Sequence, residues 1–140
     1  MNRYVEFKQR QQKEFDAFPM VYAFSNKQFE EAMGKLGLKP SDTDKIYKFG
    51  CGGFYRKSDS KELVELINRH DAEFKNEIES DLTGDGFIYQ MFEYELSNHE
   101  YCITWDIEPT LDALGLTKED IEVNEKLAKA LEKARLAQTN

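Results

Sequence analysis

The chain has 140 residues, of which 40% are hydrophobic and 33% are charged. That apolar content at this length excludes an intrinsically disordered protein and predicts one globular domain spanning residues 1–140. No apolar run reaches the roughly eighteen residues of a membrane span, and the polar start is unlike a secretory signal. Two cysteines cannot build a disulfide framework, so we expect free thiols and a cytoplasmic protein.

The net charge of -8 is unevenly placed along the chain. Residues 1–70 carry 13 Lys and Arg against 10 Asp and Glu, whereas residues 71–140 carry 6 against 17. Such an acidic half disfavours direct binding to nucleic acid and favours a basic protein partner or a cation. The alternative is a solvated acidic surface that only keeps the protein soluble.

The first third of the chain predicts two helices with a short extended run between them. Aromatic residues spaced by three and four predict a helix over residues 2–18, which Pro19 ends. Residues 20–24 are apolar and suit an extended segment. Ser25, with Gln28 three residues later, is typical of a capping box, and the helix it begins should stop at Gly37.

The middle of the chain changes pattern twice. Aromatic and β-branched residues flank a glycine cluster, which predicts a β-hairpin over residues 45–57. A helix should follow over residues 59–79, with Leu63, Leu66, Ile67 and His70 on its apolar side.

The second half is predicted to be mostly helical. Residues 87–98 are apolar on nearly every side and predict a central helix around which the other elements pack. Residues 101–107 are β-prone. Short helices are expected over residues 109–114 and after Thr117, and a longer one over residues 124–137. The predicted fold class is α+β, mostly α, with about six helices.

Asp81, Thr83 and Asp85 have the spacing of the first ligands of an EF-hand calcium loop, with Gly86 at its turn. The twelfth position, which needs a bidentate glutamate, is Phe92. We therefore predict no metal site and no cofactor, and expect Asp85 to cap the helix that follows. The alternative is an EF-hand-like ion-binding protein that uses the Asp81–Gly86 loop.

A second candidate is the glycine cluster, residues 50–53, which Arg56 and Lys57 follow. A phosphate loop should lead into a helix, and this cluster leads into a strand, so a hairpin turn is the better interpretation. An enzyme pocket combining Cys51 or Cys102 with His70 or His99 stays an alternative, because one sequence cannot show which residues meet. No serine triad, zinc signature or dinucleotide fingerprint is present, and no catalytic residue is assigned.

Three segments of the chain are DTDKIYKFGCGGF, TGDGFIYQMFEYELSNHEY and TLDALGLT. They resemble an uncharacterised family of small proteins found on mobile genetic elements of gut anaerobic bacteria. The resemblance implies a bacterial cytoplasm and accessory genetic cargo, and transfers no activity or residue role.

The functional prediction is a non-enzymatic interaction or regulatory protein. Its acidic part, residues 71–125, holds 16 acidic residues against 2 basic ones and would meet a basic protein surface. In a bolder version, the carboxylates imitate the phosphates of DNA. We expect neither direct binding to nucleic acid nor a membrane partner.

Overall fold

The computed structural model describes residues 2–139 and confirms the predicted α+β, mostly α, fold class. Eight α-helices occur in this part of the chain, where about six were predicted. They are α1 (Arg3–Asp16), α2 (Asn26–Lys35), α3 (Ser60–Ser80), α4 (Phe87–Asn98), α5 (Tyr101–Thr104), α6 (Glu108–Leu114), α7 (Lys118–Glu122) and α8 (Glu125–Thr139). The strands are β1 (Val21–Tyr22), β2 (Ile46–Phe49) and β3 (Gly53–Arg56).

The chain divides into two compact units. The first unit is formed by residues 1–9 and 72–140, and the second by residues 10–71. Helices α1 and α3 each contribute residues to both. The first unit holds most of the acid, and the second has 11 Lys and Arg against 10 Asp and Glu.

Helix α4 forms the centre of the first unit, as its apolar sequence predicts. Phe87, Ile88, Met91, Phe92 and Leu96 are at most 1% exposed. Helix α8 packs against them through a stripe at helical spacing, and its buried members are Leu127, Ala130, Leu131 and Ala134. The second unit has two apolar clusters of its own, so α4 is the core of one unit only.

The first unit also buries a carboxylate. Glu95 on α4 is 1% exposed and accepts hydrogen bonds from the Lys8 ammonium, at 3.3 Å, and from the Tyr4 hydroxyl. Burial, and then the nearby Glu95 charge, raise the pKa of Tyr4 far above its usual value. A buried charge is tolerated only with such partners, so this network ties α1 to α4.

The second unit is built on the predicted hairpin, which a third strand extends. Strand β3 lies between β1 and β2 and pairs antiparallel with both. Phe54 faces Val21 on one side and Lys48 on the other. The residues that alternate along β3 therefore point to opposite faces of the sheet.

Both faces of this small sheet are covered by helices. Phe54 packs with Ala32, Met33 and Leu36 of α2 on one face. Tyr55, on the other face, packs with Phe18 and Leu63. The second unit thus consists of a sheet with helices on both faces, and it has its own apolar core.

Most local helix signals are confirmed. Ser25 caps α2 by accepting from the Gln28 backbone, although the Gln28 side chain accepts from Phe24 rather than from Ser25. Gly37 adopts a φ of +73 after α2, and the Leu38 N–H returns to the Met33 carbonyl at 2.9 Å. This closes the helix as a glycine cap should.

Two expectations are wrong. Residues 101–107 are not a strand, because residues 101–104 form helix α5 and the sheet within residues 2–139 consists of β1, β2 and β3. Ile67 is 44% exposed, so the apolar stripe of α3 is narrower than its periodicity predicts. The 21-residue helix α3 turns part of that stripe to solvent.

Candidate interaction site

The turn before α4 is organised by Asp81 and not, as predicted, by Asp85. One carboxylate oxygen of Asp81 accepts from the Gly84 N–H at 3.1 Å, and the other accepts from Gly86 and Ile88 at 3.1 and 2.9 Å. Gly86 occupies the N-cap position and has no side chain to offer. Asp81 therefore caps α4 from five residues upstream.

The other two residues of the calcium-like spacing have partners of their own. The Thr83 hydroxyl accepts from the Asp85 N–H at 3.2 Å, and the Asp85 carboxylate pairs with Lys133 at 3.2 Å. Backbone amides of the turn occupy the Asp81 and Thr83 oxygens, and the Lys133 ammonium on α8 occupies Asp85, so contacts within the protein explain the spacing. That the loop holds no metal stays a prediction, and a calcium titration tests it.

The cysteines and histidines are distributed over both units. Cys51, in the hairpin turn, and His70, on α3, belong to the second unit. Cys102, on α5, and His99, which follows α4, belong to the first. Both thiols are exposed, and within neither unit do the described residues show a hydrogen bond from a cysteine to a histidine. His70 instead lies 3.7 Å from the Glu14 carboxylate.

Helix α5 is a single turn held between two strained residues. Glu100 and Trp105 have φ values of 58 and 57, in the left-handed region that residues with a side chain rarely adopt. They are the two non-glycine residues with positive φ in residues 2–139. Such conformations persist only where surrounding contacts hold them.

Those contacts come from Tyr101. Its side chain is 1% exposed, and its hydroxyl accepts from the Arg135 guanidinium on α8 at 2.8 Å. The Trp105 N–H closes the turn by donating to the Tyr101 carbonyl at 2.8 Å. The anchored turn leaves Ile103 and Trp105 projecting into solvent, 73% and 66% exposed.

The turn belongs to a strongly acidic stretch, which we call the acidic segment, residues 100–125. It contains eight carboxylates against one lysine, and all eight lie on exposed residues. They are Glu100, Asp106, Glu108, Asp112, Glu119, Asp120, Glu122 and Glu125. Val123, 84% exposed, adds a third apolar side chain to the same stretch.

Lys118 shows that several of these carboxylates converge. Its ammonium pairs with Glu108 at 2.9 Å, and this contact, followed by the charges of Asp106 and Glu122, raises the pKa of Lys118. One lysine therefore sits among three carboxylates, which leaves a local excess of negative charge beside Trp105.

The sequence predicted a concentration of acidic residues here but not the exposure of Ile103 and Trp105. Ile103 and Trp105 were interpreted as strand residues because their types are β-prone. Their exposure depends on the left-handed turns at Glu100 and Trp105, and no sequence pattern predicts that conformation for Glu or Trp. No helix in residues 2–139 is long and apolar enough to cross a membrane.

The fold and the site thus define a small, mostly helical protein with an acidic segment in which apolar side chains are exposed. Residues 3–136 match the family model described as "Family of unknown function (DUF7659)". The chain belongs to this family. Comparison with curated proteins and with solved structures finds no match.

Proposed function

We propose that the chain is a non-enzymatic interaction or regulatory protein whose acidic segment binds a basic protein surface. The observation that carries the proposal is the projecting α5 turn, where Trp105 and Ile103 are exposed next to a concentration of carboxylates. Tryptophan is among the residues that contribute most to protein interfaces.

The two kinds of side chain have separate tasks in this proposal. Carboxylates such as Asp106 and Glu108 attract and orient a basic partner, mainly by speeding association. Trp105 and Ile103 supply the apolar contact that slows dissociation. Holding the turn rigid through Tyr101 lowers the entropy lost on binding.

The bolder version is that the carboxylates imitate DNA phosphates and occupy the basic site of a nucleic-acid enzyme. A role as accessory cargo of a mobile genetic element, which the sequence resemblance implies, fits such an antagonist.

Site-specific photo-crosslinking in a bacterial lysate tests the proposal. A photo-reactive phenylalanine replaces Ile103, which is 73% exposed, in one protein and Leu136 on α8, which is 56% exposed, in the control. We expect one basic protein to be captured from Ile103 and not from Leu136. The crosslink should weaken with added salt, since screening acts on exposed charges.

A second variant makes the result specific. Glu108→Lys together with Trp105→Ala should remove the crosslink while leaving the helical circular-dichroism spectrum unchanged. Equal capture from both positions, or capture that survives this double variant, would contradict the proposal.

A further inference from the structure

The second unit contains a groove of about 530 Å³ beside the glycine turn of its hairpin. Its floor is apolar, because Phe29, Ile46 and Phe54 line it and the rings of Phe29 and Phe54 lie 5.2 Å apart. Phe24, 72% exposed, forms one wall. This groove lies on the face of the sheet that α2 covers, and the acidic segment takes no part in it.

The Phe24 side chain that forms this wall lies against the backbone of the hairpin turn. A Cβ placed on Gly52, where φ is +76, would lie 2.5 Å from the Phe24 ring. The positive φ favours glycine at this position, and the missing Cβ lets the Phe24 ring lie over the turn. The Ala23 N–H also donates to the Gly52 carbonyl at 2.9 Å, which fixes the backbone beside Phe24 to the turn.

One edge of the groove is strand β2, whose outer side pairs with no other strand in residues 2–139. Along an antiparallel strand, residues that bond to one neighbour alternate with those that bond to the other. The hydrogen bond from the Ala23 N–H shows that the backbone N–H and C=O groups of Gly52 point towards β1. Those of Phe54, two residues later, point the same way. The backbone groups of Tyr47 and Phe49 therefore form hydrogen bonds with Tyr55 and Gly53 of β3. The backbone N–H and C=O groups of Ile46 and Lys48 point away from β3, towards the open edge of the sheet.

Strand β2, with the sequence IYKF, carries one charged residue, Lys48. Lys48 is the one charged residue among those that line the groove. Its ammonium is exposed, and within residues 2–139 it has no ion-pair partner. A second copy of β2 laid along this edge would bring lysine against lysine, which disfavours self-pairing.

We propose that this groove binds an extended acidic peptide segment of a partner protein, which adds to the sheet as a strand beside β2. The peptide backbone would pair with the outward N–H and C=O groups of Ile46 and Lys48. One apolar side chain of the peptide, on the sheet face that α2 covers, would pack against Ile46 at the β2 side of the groove. A neighbouring carboxylate would meet Lys48.

The test begins with a phage-displayed library of random dodecapeptides selected on the full-length protein. We expect enriched peptides to carry Asp or Glu next to an aromatic or large aliphatic residue. A synthetic copy of the most enriched peptide should bind Lys48→Glu at least about fivefold more weakly than wild type, because reversal replaces attraction by repulsion. Lys61→Glu, an equal charge change on α3, should bind like wild type.

Backbone exchange separates strand addition from other modes of binding. In the free protein, the amides of Ile46 and Lys48 should exchange with solvent faster than those of Tyr47 and Phe49. The bound peptide should slow the exchange of at least one of the outward pair and leave the inward pair unchanged. Two-dimensional NMR spectra of each variant show that it is folded.

Several results would overturn the proposal. They are the failure of any peptide to be enriched, enriched peptides without acidic residues, equal binding by Lys48→Glu, or protection confined to residues outside β2. Since this groove and the acidic segment lie in different units, a negative result here leaves the basic-partner proposal standing, and the reverse also holds.

Discussion

At the scale of single residues, the centre of the first unit has a definite energetic expectation. Phe92 is fully buried in α4, so Phe92→Ala should lower the free energy of unfolding by about 3 to 5 kcal/mol. Urea denaturation followed by circular dichroism measures it. Leu82→Ala, at a position 87% exposed, is the control and should change stability by less than about 0.5 kcal/mol. A loss below about 1 kcal/mol for Phe92→Ala would place the core elsewhere.

The cap of α4 gives a second residue-scale prediction. Asp81→Ala removes the acceptor of three backbone N–H groups and should cost about 2 kcal/mol. Asp85→Ala removes one exposed ion pair and should cost less than about 0.5 kcal/mol. Thermal melts of the two variants decide which aspartate is the cap, and the reverse order would contradict the geometry.

Calcium titration of the same loop is a separate measurement. We expect no heat of binding at micromolar calcium, because binding an ion would have to displace the amides from Asp81 and supply a twelfth ligand in place of Phe92. Micromolar binding that Asp81→Ala abolishes would instead support the ion-binding alternative.

Tyr4 makes stability depend on pH in the alkaline range. Burial, and then the Glu95 charge, raise the pKa of Tyr4 in the folded protein above the ordinary 10.0. The stability linked to this raised pKa is therefore fully present below pH 10.0. As pH rises past 10.0, the unfolded chain releases the proton that the folded chain retains, and stability falls by about 1 kcal/mol per pH unit.

Tyr4→Phe should therefore show a shallower alkaline loss than wild type. Urea denaturation at roughly pH 9 and pH 11 measures the difference. Tyr22→Phe, at a position 52% exposed, should lose stability as steeply as wild type. Identical slopes for all three proteins would mean that Tyr4 titrates normally.

At the scale of elements, the α5 turn stores strain that glycine would relieve. Glu100→Gly should raise the free energy of unfolding by about 0.5 to 1 kcal/mol, because a side chain at φ 58 is unfavourable and glycine is not. Thr104→Gly, inside the same turn, should lower it. Chemical denaturation of both variants tests the turn, and a loss in Glu100→Gly would show that its side chain holds the conformation.

The elements also show where sequence reasoning works. Helix ends were predictable where a residue type has one physical reason to be there, as with Ser25, Gly37 and Thr117. The hairpin followed from its glycine cluster. The pairing of β1 with β3 was not predictable, because two residues carry too little pattern to identify a strand partner.

The candidate site was predictable in charge and not in shape. Counting carboxylates indicated an acidic stretch over residues 71–125, which includes the acidic segment but does not single it out. The cap was assigned to Asp85 and is Asp81, because both precede α4 and both suit a cap. Which one reaches the N–H groups depends on the left-handed turn at Gly84, where φ is +83. Tertiary contacts, such as that of Arg135 with Tyr101, are invisible in one sequence.

At the scale of the whole molecule, charge gives the last prediction. The full chain should not bind duplex DNA at physiological salt, since its net charge is -8, with 27 Asp and Glu against 19 Lys and Arg, and such a surface repels phosphates. An electrophoretic mobility shift measures this directly. Sub-micromolar binding would refute the prediction and with it the DNA-mimic version of the proposed function.

The two exposed thiols have a practical consequence. Cys51 lies in the glycine turn beside the groove, and Cys102 lies within the projecting turn of the acidic segment. Cys102→Ser would leave one attachment point for a fluorophore at the groove, and Cys51→Ser would leave one at the acidic segment. The native chain thus already carries one spectroscopic reporter position for each surface, and two partners could be followed independently without engineering a new cysteine.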